Sequence, residues 1–96
     1  MPTFEITRRF ARDFASLTRQ QKEAFRIAVT RFVEDLTSGE IRPGLRVKGI
    51  QGADGIFEIT WAKDGRATFQ YGDEVRAGEP HIIWRRIGTH DVLGRP

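Results

Sequence analysis

Residues 56–71, IFEITWAKDGRATFQY, alternate apolar and polar side chains on both sides of a Lys-Asp-Gly tripeptide, and this pattern most limits what the chain can become. Successive side chains of a strand point to opposite faces, and Asp-Gly between two alternating runs is the strongest short-range mark of a β-hairpin. Phe57, Ile59 and Trp61 therefore share one face with Ala67, Phe69 and Tyr71. The other face carries Glu58, Thr60, Thr68 and Gln70, with Arg66 at its rim.

The apolar face needs a cover, and the first forty residues supply it. TFEIT is short and alternating, as a leading strand should be, after which Thr7 can cap a helix bearing Phe10, Phe14 and Leu17 at i, i+4 and i+7. Thr18 and Gln21 have the spacing of a capping box. Behind them Phe25, Ala28, Val29, Phe32, Val33 and Leu36 repeat at helical intervals until TSGE stops the run. The opposite side of this helix, Arg26, Arg31, Glu34 and Asp35, is mixed in sign and reads as a solvated surface.

From Ile41 to Gly55 turn residues dominate. Pro43-Gly44 suits a type II turn, and Leu45 and Val47 alternate with Arg46 and Lys48 over the length of one short strand. After the hairpin, the polar loop GDEVRAGEP leads to a last strand, HIIWRRIG. The order strand, helix, helix, three strands predicts a single α+β domain over residues 1–96. Its N-terminal strand and helical hairpin pack on one face of a mainly antiparallel, twisted sheet, leaving the other face open and polar.

Composition narrows the chemistry. The chain has no cysteine, so disulfides, thiolate zinc sites and a thiol nucleophile are excluded. MPTFEITRRF has no apolar leader core, and nowhere do about 18 apolar residues run together as a membrane span requires, so a soluble cytoplasmic protein is expected. Thirteen of the sixteen basic residues are arginine. Arginine presents a planar fork that matches phosphate oxygens, which suits a polyanion partner; a high-GC genome accounts for the bias equally well. The two histidines, His81 and His90, stand nine positions apart and make a weak case for a metal.

A paired-helix start, the Leu-x-Val-Lys-Gly segment at 45–49, GIFEI entering a strand, GRATFQY as its partner and a terminal RRIGTHDVL together resemble the RelE/ParE superfamily of bacterial toxins. The likeness spans nearly the whole chain. Its ending is most similar to the YafQ-like members, where a Gly-Thr-His segment follows the last strand. The resemblance implies a RelE-like β-α-α-β-β-β fold and a toxin held inactive by a cognate antitoxin. For the RelE and YafQ branches it implies cleavage of mRNA in the ribosomal A site. His90 matches the terminal histidine used there as a catalytic acid or base. Arg66 matches the arginine that opens the third strand and contacts the scissile phosphate, and Lys48 falls near a basic position that binds RNA backbone. Second-strand positions that are often basic in these RNases are Glu58 and Thr60 here, and the additional histidines of YafQ-like members have no counterpart.

Cutting RNA without metal or cofactor requires removal of the 2′-OH proton, charge stabilisation on phosphorus and a proton for the leaving 5′-oxygen. A histidine, with an ordinary pKa near ~6.5, can move protons at neutral pH, and arginine donors strengthen as oxygen charge develops. Arg85 or Arg86 could hold phosphate; strict alternation sends them to opposite faces, so only one reaches the site, and Arg86 shares parity with His90 if the chain stays extended. Arg46 and Lys48, in a Gly/Pro-rich segment, suit contacts to RNA backbone. Each has a bland counterpart: His90 as a surface or cap residue, Arg66 as an ordinary turn arginine, His81 as a structural or solvent-facing side chain. Trp61 and Trp84 could stack on bases, but their positions among Phe57, Ile59 and Ile83 favour core packing. Glu58 and Asp64 are the nearby carboxylates that could serve as base. The expected partners are an antitoxin, the ribosome and mRNA, with no membrane. Two competitors stay open: a ParE-like inhibitor of DNA gyrase, which needs no catalytic histidine, and a binding module without catalysis.

Overall fold

The structure, a computed structural model, describes residues 2–96. Both helices begin where their capping residues stand. Helix α1 (Arg8–Ala15) opens at Thr7, whose hydroxyl accepts the Phe10 N–H and donates to the Arg85 carbonyl at 2.8 Å, so the cap also ties the helix to the last strand. Helix α2 (Arg19–Ser38) starts from a complete capping box: Thr18 Oγ1 accepts from Gln21 N at 3.1 Å and Gln21 Oε1 accepts from Thr18 N at 2.8 Å.

The strands β1 (Thr3–Ile6), β2 (Lys48–Ile50), β3 (Ala53–Thr60), β4 (Gly65–Gly72) and β5 (His81–Thr89) form one sheet in the order β1-β5-β4-β3-β2. β1 runs parallel to β5 and every other pairing is antiparallel. The fold is α+β as expected. The one short strand read into 41–55 does form, as β2, but at Lys48–Ile50 rather than on the Leu45–Lys48 alternation, so four strands rather than three follow the helices. Pro43-Gly44 does not form a type II turn: Pro43–Leu45 is a single 3-10 turn, and Arg46, not Gly44, takes the left-handed conformation at φ 48°.

Hairpin parity is as the alternation requires. Phe57 faces Phe69 and Ile59 faces Ala67 on the helix side, while Glu58 faces Thr68 and Thr60 faces Arg66 on the other. The core between sheet and helices is aromatic. Phe32, fully buried, lies 5.1 Å from the ring of Phe69 and 6.0 Å from that of Trp84, and Phe25 meets both Trp61 and Trp84 edge-on.

The Asp64-Gly65 pair marks the hairpin, but not as a two-residue turn. Gly65 N donates to Ala62 O at 3.0 Å and Trp61 N to Gly65 O at 3.1 Å, so Lys63 and Asp64 occupy the turn and Gly65 begins β4. Glycine is needed there because the Trp61 ring lies over it; a Cβ would stand 2.5 Å from Trp61 Cε2.

Three sequence expectations are corrected. Asp35 is not on a solvated face: the chain returns after α2 and Arg42 buries it, donating from Nε and Nη2 at 2.8 Å each. The second sheet face is not fully open. Past Thr89 the chain turns into a 3-10 segment, His90–Gly94, that folds back onto β4 and β5, and on this face Thr68 is fully buried and Glu58 is 5% exposed. Gly88 permits that return, since a Cβ on it would meet Val92 Cγ1 at 2.9 Å. The third concerns Arg85 and Arg86 and belongs to the site.

Candidate functional site

One cross-strand row defines the polar face. Lys48 pairs with Glu58, Glu58 with Thr68 and Thr68 with Arg86, across β2, β3, β4 and β5 in turn. Lys48 Nζ lies 3.3 Å from Glu58 Oε1, so the buried carboxylate has a cation partner at the solvent edge.

At the far end of the row the register shifts. Thr68 faces Arg86, yet Phe69 faces Trp84, which leaves Arg85 as the extra residue of a β-bulge. A bulge breaks the alternation of side chains. Arg85 and Arg86 therefore do not diverge: both reach the C-terminal segment, Arg85 Nε donating to Pro96 O and Arg86 Nη1 to Arg95 O, each at 3.1 Å. Thr68 Oγ1 donates to the same Pro96 oxygen at 3.1 Å, and Arg85 also donates to Gln70 Oε1. Arg86 is further clasped by Asp13 of α1, at 2.6 Å to Nε and 3.2 Å to Nη2, and these hydrogen bonds raise its already high pKa.

The adjacent row holds Thr60, Arg66 and Gly88. Arg66 does not extend across the face. Its Nη1 turns back over the hairpin turn to the carbonyls of Gly65 at 3.0 Å and of Ala62 and Lys63 at 3.4 Å each. His90, two residues beyond Gly88, is exposed, and its ring has no hydrogen-bond or ion-pair partner among the described residues. Arg46 lies elsewhere: with Arg66 it lines a cleft between α2 and the hairpin turn. The six residues singled out from the sequence thus divide. Lys48, Arg85 and Arg86 lie on the polar face with His90 at its end, Arg46 lies in the cleft, and Arg66 belongs to both.

Of the two carboxylates weighed as a base, Glu58 is buried and paired, while Asp64 is exposed in the turn. His81 is structural: Nδ1 lies 2.7 Å from Thr3 Oγ1 and Nε2 2.7 Å from Glu5 Oε1, joining β5 to β1. Trp61 and Trp84 are both buried in the core. Asp13 went unread in the sequence, although one signal was present: it is the only carboxylate in α1, beside Phe14 on the apolar stripe. Among the described residues no three His, Cys, Asp or Glu side chains cluster as a metal site requires, and no helix is long and apolar enough to cross a membrane.

No family model matches the sequence, and no curated protein matches it significantly. Solved structures do match the fold. A chain of the Escherichia coli DinJ–YafQ toxin–antitoxin complex superposes with a TM-score of 0.72 at 15% identity, covering 96% of each chain. YafQ from E. coli strain BL21(DE3) gives 0.67 at 14% identity, over 97% of this chain and 98% of its own. A chain of the Methanococcus jannaschii RelB–RelE antitoxin–toxin complex gives 0.61 at 16% identity, over 93% of each. The fold is that of the RelE/YafQ-like toxins.

Proposed function

We propose that the chain is the toxin of a bacterial toxin–antitoxin pair, a cytoplasmic, ribosome-dependent mRNA endoribonuclease that uses neither metal nor cofactor. The structural neighbours named for toxins and their antitoxin complexes support this reading. The observation that carries it is His90, an exposed imidazole with no partner among the described residues, at the end of a strand whose preceding arginines gather on oxygen acceptors. Main-chain oxygens of Arg95 and Pro96 now take the bonds of Thr68, Arg85 and Arg86, and phosphate oxygens can take the same donors once that segment yields.

The reaction breaks the bond from phosphorus to the 5′-oxygen as the 2′-oxygen, its proton passing to solvent water, forms its own. His90 gives the leaving oxygen its proton, and Arg66 with Arg85 or Arg86 stabilises the charge gathering on the phosphorane. Lys48, exposed at the opposite end of the row, holds a neighbouring phosphate. A cognate antitoxin silences the site by setting acidic side chains against the Arg85–Arg86 pair.

The ParE-like alternative has one observation in its favour: Arg86 is already committed to Asp13, as a purely structural arginine would be. Translating ribosomes, and separately DNA gyrase, each given purified protein stripped beforehand with EDTA, decide between them. Messenger RNA cut to 2′,3′-cyclic phosphate or 3′-phosphate ends supports the nuclease. Intact messenger with gyrase-dependent DNA breaks supports the alternative. A chain that is harmless when expressed alone, folded and abundant, removes both toxin readings.

A further inference from the structure

A cleft of about 630 Å³ opens between α2, the Pro43–Leu45 turn and the β3–β4 turn. Arg31, Arg46, Lys63 and Arg66 line it, and no carboxylate does. Arg42 reaches it as well but is held by Asp35. Among the described residues Arg31, Arg46 and Lys63 have no ion-pair partner, and Arg66 bonds only to main-chain oxygens. Four cations from three parts of the chain that share one concavity repel each other and draw in an anion.

Trp61 adds an independent observation. It lines the same cleft, is 8% exposed, and carries the one buried side-chain polar atom without a hydrogen-bond partner among the described residues, its Nε1. Buried donors are almost always satisfied, so an indole N–H left open beside a cationic cavity calls for an acceptor that the chain itself does not supply.

The acceptor that fits is phosphate. A carboxylate presents its two oxygens in one plane, whereas a phosphate offers oxygens in several directions and accepts from several forks and an ammonium together. The volume falls within the range of roughly 300–1,000 Å³ typical of ligand sites. Arg66 connects the cleft to the polar face, since its Cα pairs with Gly88 two residues before His90 while its guanidinium lies at the cleft.

We propose that this cleft is a second phosphate subsite that seats a backbone phosphate of the RNA beyond the cleaved bond, with Trp61 Nε1–H donating to one of its oxygens. The identity of the phosphate's carrier rests on the RNA-cutting reading; the subsite itself rests on the cleft.

Indole N–H resonances of ¹⁵N-labelled His90→Ala protein, chosen to slow any cleavage, provide the test, with Trp61→Phe assigning the signal. A short single-stranded RNA should move the Trp61 resonance and leave that of Trp84 in place, and inorganic phosphate should move it in the same direction at higher concentration. Arg31→Ala and Lys63→Ala, both at exposed positions, should each weaken RNA binding by about 3- to 10-fold at low salt and lower the salt dependence by about one phosphate contact. A Trp61 resonance that stays still while RNA binds overturns the proposal. Movement with an acidic peptide but not with RNA overturns it in favour of a protein ligand, and movement with phosphate alone reassigns the cleft to a free nucleotide. Cleavage by the parent protein, measured alongside, separates the two readings. A moved resonance without cutting leaves the subsite standing and removes the nuclease, while cutting with an unmoved resonance does the reverse.

Discussion

Asp13 of α1 holds Arg86 of β5 through both carboxylate oxygens, at 2.6 and 3.2 Å, and its Oδ2 also accepts the Ile87 N–H at 3.2 Å. β1 pairs with β5 only as far as Trp84; beyond it the Thr7 hydroxyl takes the Arg85 carbonyl, and the Ile87 N–H is left for Asp13. That carboxylate completes the edge and fixes the arginine that ends the polar row.

Removing it should therefore unsettle both fold and site. The two side chains are 20% and 19% exposed, and charge-assisted bonds of this kind are worth about 1.5–3 kcal/mol each when broken. Asp13→Ala should lower stability by about 2–4 kcal/mol, and Asp13→Asn, which keeps an acceptor for Ile87, by less. A double-mutant cycle with Arg86→Ala in urea should give a coupling of at least about 1 kcal/mol. Additive losses would mean that the pair does not act as one unit.

Gly65 carries the second prediction. A methyl group there must push the Trp61 ring off its strand, so Gly65→Ala should cost about 1–3 kcal/mol and shift tryptophan emission. Asp64→Ala, one residue earlier and exposed in the turn, should stay within about 0.5 kcal/mol. Equal effects at the two positions would mean that turn chemistry, not ring contact, selects the glycine.

These two residues also divide what the sequence discloses from what it withholds. The hairpin faces and the capping box are legible because each depends on neighbours within a few positions: period two fixes Phe57 against Phe69, and Thr18 needs only Gln21. Asp13 and Asp35 are not, because each is paired with an arginine that the chain brings back later, Arg86 across the whole domain and Arg42 after a turn. The shared direction of Arg85 and Arg86 is hidden for a related reason. A bulge is a property of two strands in register, and RRIG read alone alternates. That His90 follows the last strand is legible in the chain order, but its place in a 3-10 segment depends on Val92 closing over Gly88.

Acid should reveal the Asp35–Arg42 clasp. The guanidinium and the Arg42 N–H hydrogen-bond the Asp35 carboxylate and hold its pKa below the ordinary value. A carboxyl depressed in the fold stabilises it at every pH above the unfolded value of about 3.9, and the contribution fades as pH falls through the folded pKa. Asp35→Asn should accordingly be less stable than the parent at pH 7, and the two urea midpoints should converge as pH drops below about 4. A constant gap across that range would mean that the carboxylate charge contributes nothing.

The final prediction concerns His90 and Arg66, whose surroundings differ. His90 is exposed and has no bonding partner among the described residues, so His90→Ala should change stability by less than about 0.5 kcal/mol. If it moves the proton of the leaving oxygen, the same change should slow messenger cleavage by about 10²-fold or more while ribosome binding persists. Arg66 caps the hairpin turn through three carbonyls, so Arg66→Ala should slow cleavage and also loosen the turn by about 1 kcal/mol. Arg66→Lys should recover stability better than rate, because an ammonium can reach one carbonyl but lacks the planar fork for phosphate. Single-turnover cleavage on programmed ribosomes, set beside thermal melts of the same variants, separates the effects. A His90→Ala protein that stays folded and cuts at the parental rate would remove the histidine from the reaction, and a lysine that restores the rate in full would remove the fork.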